Sequence, residues 1–350
     1  MSDTEVSKES ADRSTGWAVP SAWRVALGIV VAALLVAGVG ILIARAAGFS
    51  EVWDAIASAD ERWLVVCLLA QTLALAGYAA VVREAFRWRG GVEVGWGVGV
   101  QVMLASVGAT RVLAAGGAGA LAATYWCFRR ARFPAREALV RVLGYNALFY
   151  VSFGVGAWLA ALFAETGVRG EAPAGLTAPW LVGVPLCFVA TLLVTQPARV
   201  GRLTYSQGSL VRRGLGFAVA AAAWVREVLR DPEGRRMLLA SACYWLGNVG
   251  CLWAALSSVG VTLTLPELLL AFATGHAASI LPLPLGGVGG VDAAMTYALT
   301  VVGVALAPAL VAVAVYRLFS FWAPTIPALA ALALLPRTGR KLARAAATRA

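Results

Sequence analysis

Charge and histidine are scarce in this sequence. Only 13% of its 350 residues are charged, and His276 is its one histidine. A soluble globular chain carries about 25% charged residues, so a water-facing surface is missing. Metal ligands are equally sparse. Cys67, Cys127, Cys187, Cys243 and Cys251 form no C-x-x-C pair and all fall in apolar runs, so neither a zinc site nor a disulfide framework is indicated. They are read as small core residues. There is no Walker P-loop, which argues against ATP hydrolysis by this chain. Short alternating segments of the transmembrane β-barrel type are absent. No soluble stretch is large enough for a basic nucleic-acid-binding surface. Nothing calls for a cofactor.

What is present is apolar chain. Hydrophobic residues make up 60% and mean hydropathy is +0.78. Several runs are long enough to span about 30 Å of hydrocarbon, which predicts an all-α, polytopic membrane protein. Residues 1–23 read as a disordered cytoplasmic tail, 24–336 as one integral membrane domain, and 337–350 as a basic cytoplasmic tail. The expected spans are Val25–Ala44, Trp63–Val82, Ala138–Ala164, Trp180–Gln196, Met237–Val259 and Ala309–Leu335. The net charge of +11 comes from arginines clustered in short loops, and such loops face the cytoplasm. This places both termini inside a cytoplasmic (plasma) membrane. A basic loop at 197–236 contains Leu210–Leu229. That stretch reads either as an interfacial amphipathic helix or as a helix packed on the bundle.

Two stretches cannot be ordinary spans. Gly95–Phe128 is interrupted by Ala115-Gly-Gly-Ala-Gly119, and Leu281–Asp292 packs two prolines and four glycines between apolar runs. Proline removes backbone donors and glycine relaxes φ, so each stretch predicts a broken hairpin. Broken backbone within a membrane is tolerated where it is buried in protein or lines a wet cavity. The hairpins either cross fully or re-enter. They also match each other. Gly116-Gly-Ala-Gly119 aligns with Gly286-Gly-Val-Gly289 at an offset of 286 − 116 = 170, and Ala138…Tyr145 aligns with Ala309…Tyr316 at 309 − 138 = 171. Repeat 1 covers about 24–164 and repeat 2 about 178–336. Loop charge makes them antiparallel, a plan of transporters whose site lies where the halves meet.

The polar residues break that symmetry. Asp292 corresponds to Ala122 and Arg317 to Asn146. An intramembrane charge costs about 2.5–3.5 kcal/mol on insertion scales, and is a functional-site hypothesis by default. Asp292 is read both as a cap on the helix after the turn and as a partner of Arg317. Arg111 and Arg317 suit a phosphate, or pair structurally with Asp292 and with free carbonyls. His276 is read as a packing residue before a titrating one. Asn248 and Gln101 should hydrogen-bond between helices, and Gly95, Gly97 and Gly99 should allow close packing. Arg141 should reach out to the surface. The candidate substrate-binding set is Arg111, Gly116, Gly117, Gly119, His276, Pro284, Gly286, Gly287, Gly289, Asp292 and Arg317, with no catalytic or metal residue.

The run Pro284, Gly286-Gly287-Val288-Gly289, Asp292, then Tyr316-Arg317-Leu-Phe-Ser-Phe-Trp-Ala-Pro324, resembles the membrane-integral, flippase-like part of lysylphosphatidylglycerol synthase. The likeness extends over roughly residues 25–335. The acid is usually Glu in that family and is Asp here. Some members carry Arg before the acid where this chain has Val291, and Leu285 is an insertion. The resemblance implies translocation (flipping) or binding of a phospholipid or lipid-linked, for example polyprenyl-linked, substrate by alternating access, in a non-enzymatic, stand-alone member without the soluble synthase domain. The alternatives are a membrane-embedded transferase on lipid-linked sugar, or a partner subunit of a separate synthase or glycosyltransferase.

Overall fold

The computed structural model describes residues 49–112, 117–167, 173–196, 210–280 and 289–348, together with Val30, Leu34 and Gly38. Every regular element among them is helical. In chain order these are α1 (Phe49–Ala57), α2 (Arg62–Arg87), α3 (Trp96–Val112), α4 (Ala118–Arg130), α5 (Ala135–Glu165), α6 (Ala174–Val194) and α7 (Leu210–Arg230). The second half adds α8 (Arg235–Ser258), α9 (Leu265–Ala277), α10 (Gly290–Val301), α11 (Leu306–Arg317), a π-helical turn (Leu318–Trp322), α12 (Ala323–Ala333) and α13 (Leu335–Ala347). Five helical stretches are long and apolar enough to cross a membrane: α2, α5, α6, α8 and the continuous Leu306–Ala333. The predicted first span Val25–Ala44 falls almost wholly outside the described residues.

The hairpin arms are shorter. At 1.5 Å per residue α3 is about 26 Å long, α4 and α9 about 20 Å, and α10 about 18 Å. Within the described residues none reaches the roughly 30 Å of hydrocarbon that the five long helices span. Thr264 and Glu267 cap the start of α9, the Glu267 carboxylate accepting the Thr264 amide at 2.8 Å.

The two halves meet at α2 and α8. A Cβ on Gly77 would come within 2.6 Å of the Ala240 carbonyl oxygen and the Tyr244 amide; one on Gly247 would come within 2.5 Å of the Ala70 oxygen and the Ala74 amide. Each residue in the first contact maps onto the second at one offset: 247 − 77, 240 − 70 and 244 − 74 all equal 170. The helices therefore cross antiparallel about a local two-fold axis beside Ala74 and Tyr244. Trp63 against Trp253, ring centroids 5.0 Å apart, continues the same antiparallel register. Small residues at the crossing let the backbones touch, which is how helices associate where lipid is as apolar as the side chains.

The same exchange holds further out. α3 of the first half lies on α12 of the second, and α9 of the second lies on α5 of the first. One apolar core runs through both halves and includes Phe86, Phe128, Tyr145, Leu252, Phe272 and Met295. This is a fold of inverted repeats, as the glycine-turn offset implied. α6 packs on α5 and leaves Val182, Leu186 and Phe188 exposed.

The structure decides several sequence-level expectations. Helix α7 is packed on the bundle: Trp224 covers Gly144 of α5 and meets Trp88 edge-on at 5.1 Å, and Glu227 pairs with Arg89 at 2.6 Å. Asn248 accepts from the Tyr316 hydroxyl at 3.3 Å and Gln101 from Thr338 at 3.2 Å, both between helices. A Cβ on Gly99 would come within 3.3 Å of the Ala79 oxygen of α2, whereas one on Gly95 or Gly97 would meet open space. Cys67, Cys127 and Cys251 are buried, but Cys187 is exposed. Residues 335–347 are a docked helix rather than a tail.

Arg141 does not reach the surface. It is 5% exposed. Its guanidinium donates to the Ala85 and Trp88 carbonyls at 2.8 and 3.2 Å and pairs with Glu137 at 2.9 Å. The last carbonyls of α2 have no partner in their own helix, and this arginine supplies one. Arg141→Met is expected to cost about 2 kcal/mol by orphaning the Ala85 oxygen and unpairing Glu137, read as a lower unfolding midpoint in detergent with lipid binding at the central site unchanged.

Candidate functional site

The site is built where the hairpin ends meet the kinked last span. Arg317 ends α11, about 16 Å from its start at 1.5 Å per residue, which is half a bilayer. Asp292 lies in the first turn of α10. That helix is capped at its start by Gly289, whose φ of 82° is a left-handed conformation open to glycine. One Asp292 oxygen accepts the Gly289 amide at 2.8 Å. The other pairs with Nε of Arg317. Capping and ion pairing, both read from the sequence, coexist on one carboxylate. The side chains of Arg317 and Asp292 are 14% and 16% exposed, so the pair is largely desolvated.

Arg111, in the last turn of α3, comes to the same place from the other half. Its guanidinium carbon lies 3.6 Å from the centroid of the Phe321 ring, and that of Arg317 lies 4.9 Å from it. A single buried ring thus touches two cations through its electron-rich π system. Phe321 belongs to the π-helical turn, a local widening that recurs at functional sites. In the sequence it is one of several aromatics after Arg317. Its spacing of four from that arginine is the signal that places both on one helix face.

The polar balance is uneven. Arg317 and Arg111 are cations, and among the described residues Asp292 is the one acid paired with them, leaving one positive charge unmatched there. Nη2 of Arg317 and Nε of Arg111 are buried and have no hydrogen-bond partner among the described residues. Two buried donors aimed at no acceptor, beside an excess cation, suit an anion with oxygen acceptors. Among the described residues no cluster of His, Cys, Asp or Glu is assembled to hold a metal.

The remaining candidates divide. His276, at the end of α9, sits in an aromatic box. Phe272 stacks on it at 5.5 Å, Trp245 meets it edge-on at 5.1 Å, and Phe153 lies 5.5 Å away. Those contacts suit the packing role. Gly119 seats α4 on α3, since a Cβ there would be 2.5 Å from the Ala109 oxygen. Gly117 has ordinary helical angles and open space around it, so the conformation does not require glycine there. Gly116, Pro284, Gly286 and Gly287 lie outside the described residues.

These features define a class: a polytopic helical membrane protein of two inverted halves, each with a broken hairpin, joined at a buried cationic centre. Residues 25–328 match the family model described as the lysylphosphatidylglycerol synthase TM region, and the chain belongs to that family. The family's name ties it to the modification or translocation of membrane phospholipid. No curated protein matches the chain.

Proposed function

We propose that this chain translocates, or binds for translocation, a phospholipid or lipid-linked anion across the cytoplasmic membrane, without catalysing a reaction on it. The observation that carries this is the unmatched charge at the centre: two guanidiniums on one aromatic ring, one carboxylate, and buried donors awaiting acceptors. A phosphodiester brings one negative charge and oxygens in the geometry a guanidinium prefers. Rocking of the halves about the α2–α8 crossing exposes the centre to either face in turn. The arginine-rich loops support cytoplasmic termini.

The test is native mass spectrometry of the purified chain with analysis of the lipids it retains. One acidic phospholipid or polyprenyl-phosphate class should be enriched, and Arg317→Ala should lose it. Retention of bulk lipid without enrichment would remove the central-site assignment and favour a partner subunit of a separate enzyme. Divalent-metal-dependent product formation by the purified chain would replace the transport reading with a transferase.

A further inference from the structure

Helix α13 presents Arg337, Arg340, Lys341 and Arg344, all four exposed. Spacings of three and four set them on one stripe about 10 Å long. No acid occurs in the sequence after Asp292. Among the described residues none of the four is in an ion pair.

The opposite face is used up within the protein. Leu335 and Leu342 are fully buried. Thr338 donates to Gln101 at 3.2 Å, and Gly339 lies so close to Trp126 that a Cβ would be 2.5 Å from its ring. The helix is thus clamped on α3 and α4. Only Leu334 separates it from α12. It is held where the last span leaves the hydrocarbon. A surface helix that binds lipid by insertion needs a free apolar face, and α13 has none. A protein partner wants apolar or aromatic anchors at the centre of its interface, and the stripe offers only charge.

We infer that this stripe binds the acidic phospholipid headgroups of the leaflet at this end of the bundle, by charge alone and apart from the central site. Bound headgroups hold α13 on α3 and α4, so they also strengthen the clamp between the first hairpin and the last span.

The test titrates the purified full-length chain with short-chain phosphatidylglycerol and phosphatidylcholine in native mass spectrometry, counting only lipids bound beyond those that the centre retains through purification. Phosphatidylglycerol should be preferred about tenfold at low salt, and the preference should collapse at about 1 M salt, where charges are screened within about 3 Å. The variant R337Q/R340Q/K341Q/R344Q should lose the preference, and single substitutions should lose about twofold each. Phosphatidylglycerol should raise the unfolding midpoint of the wild type and not that of the variant. Arg317→Ala should lose the lipid retained at the centre yet keep the preference for added phosphatidylglycerol, which separates this surface from the centre. If the fourfold variant fails to fold, R337Q/R344Q should show an intermediate loss. A fourfold variant that keeps the preference, a preference abolished by Arg317→Ala alone, or displacement of phosphatidylglycerol by a polyglutamate peptide at lower concentration would each overturn the inference.

Discussion

Arg317→Ala is expected to lower translocation of a headgroup-labelled acidic lipid in proteoliposomes by about 100-fold, equivalent to about 2.7 kcal/mol on the barrier. Arg317→Lys should lose about tenfold, because an ammonium keeps the charge and gives up the fork. The alanine change alone is ambiguous. Among the described residues it leaves Asp292 with the Gly289 amide as its one side-chain partner, and breaking a buried ion pair costs about 3–5 kcal/mol in stability. The double variant Asp292→Asn/Arg317→Met separates the two roles. Removing both charges with an apolar replacement of similar length is often neutral for folding. Stability should return towards the wild type while translocation stays low. Recovery of both would mean that the pair is structural and that the headgroup is held elsewhere. Arg111→Ala should impair translocation comparably with less effect on stability, since among the described residues that guanidinium has an aromatic ring and no carboxylate as partner.

Much of this centre was legible in the sequence. An acid after a glycine turn, and an arginine deep in an apolar run, are too costly in lipid to lack partners, and the structure joins them. Arg111 was legible as a second buried cation. Its convergence with Arg317 on Phe321 was not, because the contact depends on α3 crossing to α12 of the other half, and helix pairing leaves no local pattern. Arg141 was misread for a related reason. Distance to a helix end suggests reach into water, but it ignores the unpaired carbonyls at the end of α2 that compete for the guanidinium. Helix α13 was legible and overlooked. Leu335, Leu342 and Ala346 recur at helical spacing among the cations, and the positive-inside interpretation of those cations hid the apolar seam. For α7 the sequence allowed two interpretations, and Trp224 against Gly144 decides between them.

The inverted repeat makes a prediction that neither half would make alone. Gly77→Ala and Gly247→Ala should each destabilise the fold by about 2–3 kcal/mol, a typical cost of overpacking a filled site, and by equal amounts within about 1 kcal/mol. The new methyl in each case meets backbone atoms at 2.5–2.6 Å, which have no rotamer through which to move away. A helix-propensity gain of about 1 kcal/mol from replacing glycine offsets part of this cost. The double variant should be less destabilised than the sum. Both methyls are relieved by one motion, the separation of α2 from α8, so the second clash is partly prepaid by the first. Unfolding in mixed micelles measures all three variants. Full additivity, or a harmless change at one glycine beside a damaging one at the other, would mean that the two contacts are not mates across one axis. Sub-additivity with equal singles would place the axis at the α2–α8 crossing. The same axis is then the natural pivot for the rocking that translocation requires, so the variants that fold should slow lipid movement even though neither glycine touches the cationic centre.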